Sequence, residues 1–239
     1  ELYAQGLQSG QALRNIVHQP HLMEGASWSY LGIGEYILAI SLCYDYFYDA
    51  MTPDERTEIL ELADMHINYL YVHSLNARHR GDGDHWWSAK DSNNWNAVVN
   101  GGGLGLAALC FENDNRYAPQ WLDLAEKTQQ YFLDNSFDRD GAYNESYMYL
   151  EYAAGSASLF YKAMLENRGN GLIHRNNNAF LKSVHTAMYF WEPSKQEASP
   201  FNQDTRWGVD WNYRYVFLRP SWFTAAGVYN DGMIQKYLQ

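Results

Sequence analysis

The stretch "DSNNWNAVVNGGGLGLAALC", Asp91 to Cys110, decides how this chain is read. From Asn93 onward it reads as a helix that runs to about Asn113. Three asparagines nevertheless crowd its first turn and four glycines occupy its body. Each interior glycine costs about 0.8–1 kcal/mol relative to alanine, so the composition needs a use. Two uses stay open. In one, Asn93 caps the first turn and the glycines let neighbouring helices touch. In the other, Asn93, Asn94 and Asn96 add amide donors to the unpaired N–H groups and the positive dipole end found there. That makes a neutral donor pocket suited to a carboxylate, with Gly101, Gly102, Gly103 and Gly105 clearing room for a ligand.

Outward from this stretch the chain punctuates into further helices. "SWSYLGIGEYILAISLCYDYFYDAM" reads as a long apolar helix ending near Met51. Thr52 follows as N-cap, with Pro53 at the first helical position and Glu55 as capping-box partner. Ile59, Leu60, Ala63, Ile67 and Leu70 continue that helix at helical spacing to about Ser74. Pro119 opens another helix through Leu133, and "DNSFDRDGAYNES" reads as a turn-rich link. Helices are expected at about Tyr147–Glu166 and His174–Trp191. Past Glu192 the segment reads as an extended loop before a last helix starting at about Tyr215 or Pro220. Strand signals are nearly absent. The expected class is all-α, one domain of antiparallel helical hairpins over residues 1–239. Bundle, solenoid and closed α/α toroid all fit hairpins, and no fixed-period repeat favours the solenoid.

Composition narrows the partners. A formal net charge of −11 argues against nucleic acid and against an anionic membrane surface. No run approaches the roughly 18 apolar residues that a spanning helix needs. Twenty Tyr and nine Trp supply surfaces that are apolar on one side and hydrogen-bonding on the other, which sugar rings require. Cys43 and Cys110 both fall inside apolar helical runs and read as buried free thiols. The chain opens at "ELYAQGLQSG", with neither an initiator Met nor a signal-like segment, as a mature or trimmed form does.

A second constellation lies after the turn at Asp140-Gly141. Glu145 precedes a helix in which Tyr149 and Tyr152, three apart, share a face. Ala153, Ala154, Gly155, Ser156 and Ala157 keep the surface beside them thin. Phenol tips over a cleared floor suit a ligand, whereas tyrosines stacked on a neighbouring hairpin give the same pattern.

Three blocks, "LAISLCYDYFYDAMTPDERTEI", "NNWNAVVNGGGLGLAALCFEND" and "DGAYNESYMYLEY", together resemble the heparinase II/III-like polysaccharide lyases and their relatives, including the dermatan sulfate epimerases. They occur in that family's order and cover roughly Ser41 to Tyr152. The resemblance implies an incomplete α/α toroid, usually followed by antiparallel β-sandwich modules, and a secreted or periplasmic lyase acting on anionic, uronic-acid polysaccharides without a metal or other cofactor. Elimination across C4–C5 of a uronate requires loss of a C5 proton that is far too weakly acidic while the neighbouring carboxylate stays anionic. Donors must neutralise that carboxylate and hold the enolate-like intermediate. A tyrosinate or histidine then takes the proton, and a phenol returns one to the leaving oxygen.

Carried over by motif, Asn94 falls where the family neutralises the carboxylate, and Tyr149 falls on the catalytic tyrosine, with Tyr152 next to it in order of candidacy. Asn93, Trp95, Asn96 and Glu145 join them as expected substrate contacts. Many relatives have Asn-His where this chain has Asn94-Trp95, which implies a neutraliser built on asparagine alone. Relatives also use a histidine from beyond the toroid. Its absence here, with that of a β-sandwich and of the first hairpins, fits a fragment of a larger protein, a truncated form or an inactive relative. His85 in "GDGDHWW" is the local candidate for that imidazole, with Trp86 and Trp87 to stack on sugar rings.

Weaker signals complete the reading. Asp82 and Asp84 hint at a calcium loop without its further oxygen ligands, and no His pair has zinc spacing. Arg78, Arg80, Lys90, Arg139, Arg175 and Arg206 make a possible basic track for a polyanion. Two other functions compete with elimination. A toroid glycoside hydrolase needs two flanking carboxylates, here Glu145 with Asp140 or Glu151. A non-catalytic glycan-binding remnant needs neither.

Overall fold

The computed structural model describes residues 29–76, 92–145, 147–189, 191–192, 197–198 and 220–238, and these are almost entirely helical. Helix α1 spans Ser29–Phe47 and passes through a 3₁₀ turn at Tyr48–Ala50. Helix α2 spans Pro53–Asn76. Its start is the expected capping box: the Thr52 amide donates to Glu55 Oε2 at 2.8 Å, and the Glu55 amide donates to Thr52 Oγ1 at 3.3 Å. Ala63, Ile67 and Leu70 are buried along one face of α2, as their spacing requires.

Helix α3 is continuous from Asn94 to Cys110 but changes register: α over Asn94–Asn96, π over Ala97–Gly105, α again over Leu106–Cys110. Glycine holds the α register weakly, and four of the nine π residues here are glycines. Helices α4 (Ala118–Asn135), α5 (Tyr147–Arg168), α6 (Arg175–Met188), α7 (Pro220–Tyr229) and the short α8 (Gly232–Tyr237) follow. A 3₁₀ turn at Gly171–His174 precedes α6. Asn176, Asn177 and Asn178 are left-handed, at φ 50, 54 and 60, so the right-handed part of α6 starts at Ala179 rather than His174. Asparagine is the side-chain-bearing residue that tolerates that conformation best. The only strands among the described residues are a two-residue antiparallel pair, β1 (Trp191–Glu192) with β2 (Glu197–Ala198). Strand β2 lies in the segment expected to be extended, whereas Trp191, expected at the end of a helix, lies beyond α6, which stops at Met188.

Along the chain the helices alternate between two rows. Helices α1, α3, α5 and α7 form one row, each packed on the next, while α2, α4 and α6 form a second row behind them. Helix α3 is the most enclosed element: every residue from Asn96 to Ala108 is buried. Its glycines explain how. A Cβ on Gly103 would lie 3.0 Å from Gly34 Cα, so α1 and α3 meet backbone to backbone. Gly101 is covered by Gln129 and Ala157, Gly102 by Ser156, and Gly105 by the Phe160 ring. The expectation that these glycines clear room for a ligand is therefore corrected. Protein fills that space.

Both cysteines are free, as expected, but each is only half-buried. Burial, with the charge of Asp45, still pushes the Cys110 thiol up to about 12. No helix among the described residues is long and apolar enough to cross a membrane.

Candidate functional site

The head of α3 is built by two segments far apart in sequence. Asn93 is its N-cap: the backbone there is extended (φ −99, ψ 171), and Asn93 Oδ1 accepts the Asn96 amide at 3.2 Å. One residue on, the Asn94 backbone amide and its Nδ2 both donate to Glu145 Oε2, at 2.7 and 2.9 Å. The Tyr143 hydroxyl donates to the same oxygen at 2.6 Å. Glu145 thus sits at the positive end of α3, where a carboxylate is favoured.

The link after α4 is held in place locally. Asp138 Oδ1 accepts the amides of Asp140 and Ala142, at 2.9 and 2.8 Å, which closes the turn and holds the Asp138 carboxyl below its usual range. Gly141 follows at φ +90, where a side chain would strain the backbone and overlap Lys182. Ser136 Oγ and Asn144 Nδ2 then donate to the Ser92 carbonyl at 2.7 and 3.3 Å, tying the link to the residue that leads into α3. Tyr143 pairs with Phe137 in an isolated bridge and packs beside Phe132 and Phe137. Burial first, and then the Glu145 charge, push its phenol well above the ordinary tyrosine range. Tyr143 accordingly stays protonated and remains a donor.

The one buried atom left unpaired at this junction is an acceptor, Asn94 Oδ1. All three hydrogen bonds to the half-buried Glu145 fall on Oε2, and no described residue donates to Oε1. Asn94 is 2% exposed, and with Nδ2 committed to Glu145 its Oδ1 is buried without a donor. Turning the amide over would set its carbonyl against a carboxylate, so the neighbouring charge fixes the orientation. Sequence reasoning expected a pocket rich in free donors. The structure differs because those donors are consumed internally.

Asn96 shows the same consumption more completely. It is fully buried, its Nδ2 donates to the Thr128 carbonyl at 3.3 Å, and its Oδ1 accepts Asn100 Nδ2 at 2.9 Å. Gln129 Nε2 donates to the Asn96 carbonyl at 3.1 Å, while Gln129 Oε1 accepts the Tyr161 hydroxyl at 2.8 Å. Ser74 Oγ closes the chain on Asn100 Oδ1 at 2.7 Å. This network joins α2, α3, α4 and α5 across both rows. Asn96, placed among the substrate contacts by sequence, is a core residue.

Tyr149 and Tyr152 lie half-buried in the first two turns of α5, which packs on the head of α3. Trp95 is half-buried and packs against the hydrophobic core. Glu151 is 2% exposed and turned toward α7, where Trp222 Nε1 donates to it at 2.9 Å and Ser221 Oγ at 3.3 Å. That burial weakens its candidacy as a hydrolytic carboxylate, and Asp140 lies on an exposed turn beside Arg139. Arg175 makes a two-point pair with Asp134, at 2.8 and 2.7 Å. His85, Trp86 and Trp87 lie outside the described residues, as do Asp82, Asp84, Arg78, Arg80, Lys90 and Arg206.

Tyr143 is the site residue that sequence reasoning missed. Its signal was there: it stands two before Glu145 in the run after a turn glycine, and alternate residues of an extended segment project to one side. No family model matches this chain, and no curated protein matches it.

Proposed function

We propose that the chain is a polysaccharide lyase that cleaves uronic-acid-containing glycans by β-elimination. The observation that supports this best is a direct contact between two of the motif blocks. Asn94 and Glu145, 51 residues apart, are hydrogen-bonded to each other, and Tyr149 lies in the first turn of the helix that follows Glu145. The two-row alternation of helices suits an α/α toroid, as it also suits a solenoid. In this reading the domain is part of such a toroid, extended by a β-sandwich module and working in the periplasm or outside the cell.

In the reaction Tyr149 takes the C5 proton as its phenolate, the C5–H electrons form the C4=C5 double bond, and the C4–O bond breaks. The leaving oxygen takes a proton from a phenol, Tyr149 itself or Tyr152. The geometry limits what Asn94 supplies. Of its two Nδ2 hydrogens one is on Glu145, so the other is what it offers to the substrate carboxylate as enolate character develops. Glu145 and Tyr143 hold that amide in place.

The test incubates the chain with alginate, ulvan, heparan, hyaluronan and chondroitin while the ultraviolet absorbance of an unsaturated uronate is followed. We expect that absorbance to rise with at least one of them, and Tyr149→Phe to abolish the rise while oligosaccharide binding persists. New reducing ends without the absorbance would replace elimination with hydrolysis. Binding without any product would leave a glycan-binding protein. Unchanged turnover in Tyr149→Phe would move the base to another residue.

A further inference from the structure

The orientation of the Asn94 amide decides what else it can hold. Glu145 Oε2 accepts both the Asn94 backbone N–H and Nδ2, at 2.7 and 2.9 Å. Of the two hydrogens on a planar amide nitrogen, one points back along the Cβ side and the other lies alongside the carbonyl oxygen. A single oxygen reaches Nδ2 and the backbone nitrogen of the same residue together only from the Cβ side. The hydrogen spent on Glu145 is therefore that one. What remains is one edge of the amide, with the second Nδ2 hydrogen and Oδ1 side by side.

That edge is half of a pair. Asn94 is 2% exposed and its Oδ1 has no donor. Buried polar atoms are nearly always paired, so an orphan carbonyl in a native fold calls for an explanation. Asn96 shows the ordinary outcome: its Oδ1 accepts Asn100 Nδ2, and its own Nδ2 donates to the Thr128 carbonyl. Asn94 is not relieved by turning over, because the Glu145 carboxylate holds the nitrogen where it is. A group that fits this edge must present an acceptor to the hydrogen and, next to it, a donor to Oδ1. A carboxylate fails, since it presents two acceptors and sets one against Oδ1. A carboxylic acid fits, as C=O beside O–H, and so does a primary amide, as C=O beside N–H.

We infer that Asn94 is a specificity-determining residue that binds the uronate carboxyl in its neutral, protonated form. The pair has two points: Nδ2 donates to the carboxyl C=O, and the carboxyl O–H donates to Oδ1. This rests on the uronan reading above and deepens it, because the charge that blocks removal of the C5 proton is then cancelled by a proton. On binding, the carboxylate takes that proton from solvent hydronium. It stays on the oxygen facing Oδ1 while the C5 proton passes to Tyr149, and it returns to solvent as the unsaturated product leaves. Negative charge that develops meanwhile falls on the oxygen facing Nδ2, where the donor bond strengthens.

The experiment measures binding to the full chain by calorimetry, with hexasaccharides of alginate, ulvan, heparan, hyaluronan and chondroitin as probes. Each is used as the free acid, with its carboxyls converted to primary amides, and with them converted to methyl esters. The amide brings acceptor and donor together. The ester brings the acceptor alone and leaves Oδ1 buried and unpaired. Wild type should bind the amide of at least one glycan about tenfold or more tighter than its ester. In Asn94→Ala, with its folded state checked by thermal melting, that advantage should vanish. A second readout needs no variant: heats measured in two buffers of different ionisation enthalpy should show the free acid taking up about one proton that the amide does not. Equal binding of amide and ester by wild type overturns the inference while leaving a lyase possible. So does an amide advantage that survives in Asn94→Ala, or equal proton uptake by acid and amide. Failure of every probe to bind overturns it together with the uronan reading.

Discussion

Two asparagines two residues apart on α3 have opposite fates. Asn96 is fully buried with both ends of its amide engaged, in a network that runs from Ser74 to Tyr161. Asn94 is nearly as buried, yet its carbonyl has no donor, and its amide nitrogen is committed to a carboxylate that is itself only half used. A satisfied buried amide specifies one packing arrangement, whereas an unsatisfied one costs on the order of 1–3 kcal/mol. The body of α3 therefore serves the fold, and its head carries an unpaired buried carbonyl that the body does not.

The largest effect should come from the body. Gly103→Val would drive a branched side chain into the Gly34 backbone. Overpacking of this kind costs up to about 3 kcal/mol, a fall in Tm of roughly 6–12 °C for a domain of this size. An unchanged melting temperature would show that α1 and α3 do not meet as closely as described.

The body network offers a sharper probe. Tyr161→Phe keeps the ring and removes the hydroxyl that donates to Gln129 Oε1, leaving a buried acceptor alone. About 2 kcal/mol of lost stability is expected, read as a shifted urea midpoint with the m-value unchanged. A neutral outcome would mean that water replaces the phenol and that the body is no better satisfied than the head.

How much of this contrast was legible in the sequence depends on the range of the interaction. Thr52 and Glu55 are three residues apart, and their capping box was readable because its geometry is local. The helices α2, α4 and α5 were readable for the same reason. Asn94 and Glu145 are 51 apart, and nothing in spacing could say that one would consume the other's donors. The glycines were visible as a gap, but a gap does not name what fills it. Gly34, Gln129, Ser156 and Phe160 come from three other helices. The π register of Ala97–Gly105 was invisible too, because a helix buried on all sides has no polar face to mark its period.

The smallest effect lies away from α3 and serves as a reference. Asp231 caps α8 and pairs with His185 at 2.9 Å. The Ile234 amide above all, and then the His185 charge, hold its carboxyl below the usual range. Since the folded value is the lower one, its contribution is present above the unfolded Asp value of about 3.9 and is lost as pH falls through the folded value. The stability gap between wild type and Asp231→Asn should stay level above about pH 5 and shrink below about pH 4. A gap that grows on acidification would reverse the assigned direction.

The contrast itself is tested most directly by putting Asn94→Ala beside Asn96→Ala in one assay, with elimination rate and melting temperature measured on both. We expect Asn96→Ala to lose about 2 kcal/mol of stability as Asn100 and Gln129 are left short of partners, with turnover per folded molecule nearly unchanged. Asn94→Ala should instead melt close to wild type, because an orphaned carbonyl disappears with the lost donor, while its turnover falls about 10²–10³-fold. The opposite pattern, with Asn94→Ala unstable but active and Asn96→Ala stable but inactive, would contradict the division of α3 into a functional head and a structural body.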